Sequence, residues 1–354
     1  MKKVVIACGG TGGHIAPGIA LAQALQNEGI EVKLYVSQKK VDAEMLKKYP
    51  DIPYVTSCAR PFSKNIVGCC RFLGSQWWAC LKALKWLSHE KVDAVIGMGG
   101  FTNVPVVLAA WLLRKRIFLH ESNQVMGKSI RCLSKLADVV FLPEGGSRGH
   151  LSKKVRVVEC GMPVRQEIQK QDKKVARQKM GLYEEGVVVG VLGGSQGARM
   201  LTQWAYDTCE SLNLKKISVC CICGGEGISK VKENKIQFCK NLFLPFCENM
   251  SNFLNSVDVL VCRSGAGTIA EAEKMQVPMI LVPYPNSADH HQDRNAEVAQ
   301  KKGFGVIVPQ DCLSELEERL LVFLQKIPAI QWPQRSEDPT EKMIKEIKAV
   351  CNHV

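Results

Sequence analysis

The chain has 354 residues, 46% of them hydrophobic and 23% charged, with a formal charge of +13. Those proportions are those of globular proteins and exclude a disordered or low-complexity chain; the length suits two domains of ordinary size. The positive excess favours anionic partners, but the basic residues are scattered pairs such as Lys39-Lys40 and Lys173-Lys174, with no basic arm, zinc-finger spacing or RNA-binding signature, so nucleic acid is not an expected partner.

The first apolar run, Val4 to Cys8, follows two lysines but is too short for the apolar core of a secretion signal. It reads as a buried first strand. "KVVIA", "IEVKLYVS", "VDAVIGM", "RIFLH" and "DVVFL" are expected parallel strands, separated by helical patterns at Pro17 to Glu28, Leu73 to Ser88, Val104 to Leu113 and Lys128 to Leu136. This alternation predicts an α/β fold with a doubly wound sheet. Val104 to Leu113 is the longest apolar run, about half the ~20 residues needed to cross a bilayer, so any membrane contact is expected to be peripheral.

The pattern then restarts. "VVIACGGTGGH" and "VVVGVLGGSQGAR" are each an apolar run, a glycine-rich turn and a helix, and the second is followed by strand-like "KISVCCIC", "LFLPF", "DVLVCRSG", "PMILVPY" and "FGVIV". Two tandem Rossmann-like domains are expected, residues 1–161 and 162–337, with the junction in Val157 to Arg165 and a charged helix over Gln166 to Lys179. Met343, Ile347 and Val350 give the tail helical spacing, but periodicity does not place it. The 16 cysteines read as reduced cytoplasmic thiols. Cys220-x-x-Cys223 lies in a strand-like run and is read as core, so no metal site is assigned.

Three glycine-rich turns follow strands: Gly9 to His14, Gly97 to Gly100 and Gly193 to Gly197. Glycine lets amides approach an anion, and a helix N-terminus favours negative charge. No turn fits the dinucleotide fingerprint, because Ile15 and Thr102 stand where its third glycine would fall, nor the P-loop pattern around Gly127-Lys128-Ser129. Ser195 has two readings. G-x-S-x-G is the nucleophile elbow of hydrolases, with Asp289 and His290 in the right chain order; alternatively Ser195 mirrors Thr11 and donates to a phosphate. Downstream, "HESN" ends a strand, Glu271 follows a small-residue turn where a carboxylate can hold ribose hydroxyls, and "SADHHQDRNAE" suits sugar recognition or a metal.

Taken in order, "GGTGGH", "GMGGF", "HESN", "GMPVR", "GGSQGAR", "CRSGAGTIAE" and "HQDRNA" resemble the motifs of the MurG family, the UDP-N-acetylglucosamine:lipid I N-acetylglucosaminyltransferases of peptidoglycan synthesis. The likeness runs from about Lys3 to Gly305. It implies the GT-B fold, two Rossmann-like domains facing a cleft, with the helix over 338–354 packing back on the first. It also implies donor-binding roles. The Cys247 backbone would read uracil and Glu271 the ribose. Ser195, Ala266, Gly267 and Thr268 would meet the diphosphate, and Gln292 and Asn295 the GlcNAc hydroxyls. Arg165 and Asn123 would complete the donor site, with Thr11, Gly12 and Gly13 closing on phosphates. Phe101, Met162 and Gly267 depart from frequent family residues, and His290-His291 leaves the alignment before Gln292 open by one residue.

His14 follows the loop expected to face the acceptor, and imidazole titrates near neutral pH. It is the candidate general base, or else it orients a phosphate. No cofactor is expected: amides, helix dipoles and Arg165 would meet the departing diphosphate. Lipid I carries a polyprenyl chain, so an anionic membrane surface is an expected partner, at the cytoplasmic face of the inner membrane and beside other cell-wall synthesis and division proteins. In "RFLGSQWWACLKALKWLSHEK", Leu73, Trp77, Leu81 and Leu84 are expected to face the sheet, and Trp78, Lys82 and Lys85 to meet lipid. The rival readings are another GT-B glycolipid transferase, a UDP-GlcNAc 2-epimerase, a serine hydrolase and a non-catalytic nucleotide-sugar sensor.

Overall fold

A computed structural model of the chain describes residues 1–62, 65–149, 151–152, 155–193, 199–224, 240–332 and 337–352. The chain divides into two compact units, Met1–Gln166 with Arg335–Val354, and Glu167–Gln334. The first contains β1 (Lys3–Ala7), α1 (Gly12–Asn27), β2 (Glu31–Val36), α2 (Lys40–Leu46), β3 (Tyr54–Thr56), α3 (Ile66–Glu90) and β4 (Ala94–Gly97). It continues through α4 (Asn103–Leu112), β5 (Arg116–His120), α5 (Lys128–Leu133), β6 (Val139–Leu142) and β7 (Arg156–Glu159). The second contains α6 (Lys173–Met180), β8 (Val187–Leu192), α7 (Arg199–Leu214), β9 (Ile217–Ile222), β10 (Leu242–Leu244) and α8 (Met250–Ser256). After these come β11 (Val259–Cys262), α9 (Ala266–Met275), β12 (Met279–Leu281), α10 (His291–Lys301), β13 (Gly305–Ile307) and α11 (Leu316–Lys326), before α12 (Pro339–Asn352) rejoins the first unit.

Both sheets are parallel throughout. Their orders are β3-β2-β1-β4-β5-β6-β7 and β10-β9-β8-β11-β12-β13. Each is wound in two directions from its first strand, so β1/β4 and β8/β11 are the switch points where such sheets leave a crevice. The central strands are covered on both faces and accordingly read as unbroken apolar runs: Val4 to Ala7 and Val259 to Cys262 are wholly buried. The short edge strands β3 and β7 carry no such run, and sequence patterning did not single them out.

α12 completes the first unit's core. Met343, Ile344 and Ile347 pack in the cluster that contains Ile6, Ile19 and Leu34, and Lys348 pairs with Glu28 of the same unit at 2.6 Å.

Two helix expectations need correction. The helix expected over Gln166 to Lys179 starts only at Lys173, where Asp172 caps it by accepting from the Val175 amide. The residues before it are held to α8 instead: Ser251 and Asn255 donate to the Gln169 carbonyl, and Asn255 accepts from the Gln171 amide. The second concerns α3. Leu73, Trp77 and Leu81 do not face the sheet; they are 60%, 69% and 42% exposed. The buried face is Gln76, Ala79, Cys80, Ala83 and Leu87. Small side chains there let α3 lie close against α4, whereas the bulky stripe would hold the two helices apart.

Candidate active site

At the β1/β4 switch point the turn after β1 passes Gly9 and Gly10, both with positive φ, and runs into α1. Thr11 is the residue before the helix, and its hydroxyl lies 3.0 Å from His14 Nδ1. The amides of Gly12 and Gly13 belong to the first turn and have no intrahelical acceptor. The His14 ring sits against the turn after β4: a Cβ on Gly99 would lie 3.1 Å from Nε2, and one on Gly100 3.2 Å from Nδ1. Glycine at both positions therefore makes room for the imidazole. Phe101, from the same turn, packs on Gly10. Thr11, Gly12, Gly13 and His14 are thus one constellation.

At the end of β5, His120 is fully buried and its Nε2–H donates to the Gly161 carbonyl at 3.1 Å. Burial pulls its pKa down to about 4, so the ring is neutral at pH 7. Glu121 accepts from the Asn123 amide (2.9 Å), the Asn123 side chain (3.2 Å) and the Gly127 amide (2.7 Å). Burial raises the pKa of this carboxyl. Glu121 therefore fixes the loop that carries Asn123, a role the sequence motif does not reveal. Arg165 lies just before the end of the first unit's first segment and donates to the Tyr49 hydroxyl at 3.2 Å.

In the second unit, Ala266, Gly267 and Thr268 form the first turn of α9. Gly265 precedes them with no side-chain cap, and the buried Ser264 hydroxyl has no partner among the described residues. Glu271 is half-buried one turn further on. Asn295 is buried and donates to the Ser264 carbonyl at 3.1 Å, tying α10 to this turn. Gln292 accepts from the Tyr284 amide at 2.9 Å. Arg263, which motif reading passed over, braces the same region: its guanidinium donates to the Val282 and Pro283 carbonyls and to Gln310, and stacks over Tyr284. A basic residue directly after an apolar strand was the available signal. Cys247 is buried beyond β10. Ser195 and its turn lie outside the described residues, so its geometry against Asp289 and His290 stays open; those two residues are exposed and both have positive φ. Among the described residues no three His, Cys, Asp or Glu side chains are grouped to hold a metal.

The exposed side of α3 carries Ile66, Leu73, Trp77, Trp78 and Leu81, and α4 adds Trp111 and Leu112. Lys82 lies 5.5 Å from the Trp78 ring centroid, and Lys82 and Lys85 are exposed. Large apolar side chains exposed in series along one helix are the kind of surface that marks an interaction site. Among the described residues no helix is long and apolar enough to cross a membrane.

Two doubly wound parallel-sheet units in tandem are the architecture of the GT-B class of glycosyltransferases. The glycosyltransferase family 28 N-terminal domain matches residues 4–142, and the family 28 C-terminal domain matches residues 188–348. A UDP-N-acetylglucosamine--N-acetylmuramyl-(pentapeptide) pyrophosphoryl-undecaprenol N-acetylglucosamine transferase of Opitutus terrae is 38% identical over 91% of this chain and 86% of its own length. A protein of the same name from Desulfotalea psychrophila is 34% identical over 100% of this chain and 97% of its own. The crystal structure of Acinetobacter baumannii MurG superposes with a TM-score of 0.73 at 25% identity, covering 99% of this chain and 100% of that one. The chain belongs to glycosyltransferase family 28, among its MurG members.

Proposed function

We propose that the protein transfers N-acetylglucosamine from UDP-GlcNAc to the C4 hydroxyl of the MurNAc residue of lipid I, giving lipid II, by a single inverting displacement. The observation that carries the chemistry is the Thr11–His14 pair at the β1/β4 switch point. With Nδ1–H donating to the Thr11 hydroxyl, Nε2 keeps a lone pair and removes the proton from the acceptor hydroxyl. The hydroxyl oxygen bonds to the anomeric carbon as the bond from that carbon to the diphosphate oxygen breaks, and UDP leaves with the electron pair. No covalent glycosyl-enzyme forms.

The donor falls to the second unit. Ala266, Gly267 and Thr268 present uncapped first-turn amides to the diphosphate, and Ser195 donates to it. Glu271 accepts from the ribose hydroxyls, the Cys247 backbone reads uracil, and Gln292 and Asn295 hold the sugar. The two amide side chains now bond within the protein, so they exchange those partners for the sugar. Arg165 and Asn123 are assigned to donor contacts, and Thr11, Gly12 and Gly13 to the donor and acceptor phosphates. The leaving charge is met by amides and Arg165, and no cofactor is required.

The exposed α3 face supports peripheral binding at the cytoplasmic face of the inner membrane, with Trp77 and Trp78 among headgroups and Lys82 and Lys85 against anionic lipid. Leu73, Trp77 and Leu81 join this surface. Cell-wall synthesis and division proteins are the expected neighbours there. Incubation with labelled UDP-GlcNAc and lipid I tests the function: a lipid-linked disaccharide is expected, whereas a different glycolipid or UDP-ManNAc would assign the chain to another transferase or to an epimerase.

A further inference from the structure

Asp42 lies in no glycine motif, yet its carboxylate is wholly buried against the first glycine turn. Its two oxygens accept from the Gly10 amide at 3.1 and 2.8 Å. The second oxygen also accepts from the Ser37 amide at 3.1 Å and from the Ser37 hydroxyl. Gly9, with φ of +137°, leaves no space for a side chain there: a Cβ would stand 2.5 Å from the carboxylate. The carbonyl side of Gly10 is held as well. Lys39 Nζ donates to the Gly10 carbonyl at 2.8 Å and lies 5.6 Å from the centroid of the Phe101 ring. The two peptides on either side of the Gly10 Cα are therefore both held, Gly9–Gly10 at its N–H by an anion and Gly10–Thr11 at its C=O by a cation.

We propose that Asp42 is a positioning residue for the transfer reaction, holding Gly10 by its N–H so that Thr11 keeps its bond to His14 Nδ1 and the first-turn amides of α1 keep their direction. The proposal rests on the reading of His14 as the base. Charge-assisted bonds to a buried carboxylate are the stiffest anchor a turn can have. A change in the Gly10 backbone angles would swing Thr11, and misplacing a catalytic group by about 1 Å costs on the order of a hundredfold in rate. Ser37 separates this role from simple support of the β2–α2 corner, because its hydroxyl bonds the same carboxylate and the Lys39 amide, at 3.2 Å, on the β2–α2 side.

The test measures kcat against pH for Asp42→Asn, Lys39→Met and Ser37→Ala, each corrected for the folded fraction at the assay temperature. Asp42→Asn should lose at least ~10-fold in kcat and displace the acidic limb of its pH profile by about half a unit or more, because the base is no longer held by Thr11. Lys39→Met should lose at least ~3-fold, and Ser37→Ala should stay within about twofold. The proposal is overturned if Asp42→Asn stays within about threefold of wild type, if its loss leaves the acidic limb in place, or if Ser37→Ala loses as much. Should Asp42→Asn not fold, the exposed Lys39 decides, and an unchanged kcat in Lys39→Met overturns the idea. A fully active His14→Ala would refute the base reading separately, whatever the Asp42 series shows.

Discussion

The turn after β1 and the first turn of α9 look alike in sequence, glycine-rich and small, but they are electrically different. In the first, the Gly10 amide is already filled by the carboxylate of Asp42, and only the amides beyond it are open. In the second, no side chain caps the helix, as none caps α1, and the buried Ser264 hydroxyl before it has no partner among the described residues. A diphosphate with its own negative charge is better received by a turn whose amide no carboxylate fills. The self-filled turn is better suited to hold a side chain still. On the proposed assignment the same fold element serves mainly positioning in one unit and anion binding in the other.

Replacing His14 by Ala strikes the positioning turn hardest. A loss of ~10²–10⁴ in kcat is expected, with UDP binding by calorimetry unchanged. A kcat within a few-fold of wild type at saturating substrate would reduce His14 to a phosphate contact. His120, beneath the same unit's loops, gives the next effect. Its folded pKa of about 4 lies below the ordinary value of 6.5, so the unfolded chain binds the extra proton first as pH falls. Its contribution is fully present above pH 6.5 and drains away towards pH 4, about 3 kcal/mol in all. Urea unfolding across that window should show a shallower slope for His120→Gln; equal slopes would contradict a neutral buried ring.

On the α3 face, combining Trp78→Ser, Lys82→Glu and Lys85→Glu removes about 1 kcal/mol of attraction per lysine and adds repulsion. Co-sedimentation with anionic vesicles should fall at least ~30-fold, while turnover of a short-chain soluble acceptor persists. Unchanged sedimentation would move the membrane contact elsewhere. The mildest change, Ser195→Ala, probes the anion-binding unit. It should weaken donor binding by ~1–3 kcal/mol and leave measurable transfer. Complete loss of activity, together with labelling of the wild-type serine by a fluorophosphonate, would restore the hydrolase reading.

The sequence revealed the central strands because burial on both faces demands continuous apolar runs, as in Val4 to Ala7. The glycine turns were legible because a strand must end before them. Periodicity showed that Leu73, Trp77 and Leu81 share one side of α3, but not which side is buried. That was decided by Ala79 and Ala83, whose smallness permits close helix contact. Asp42, Glu121 and Arg263 were overlooked for a common reason. Asp42 and Arg263 act on backbone groups distant in sequence, and Glu121 on amides two and six residues ahead of it, and no spacing rule marks such partners.

The placement of α12 has a consequence for biosynthesis. The first unit's core includes Met343, Ile344 and Ile347, although the second unit is translated in between. Residues 1–166 therefore leave the ribosome with part of an apolar core uncovered, and must wait for the whole of the next domain before the closing helix arrives. An excised first domain would need residues 337–352 grafted back on, whereas Glu167–Gln334 is a contiguous stretch with a core of its own.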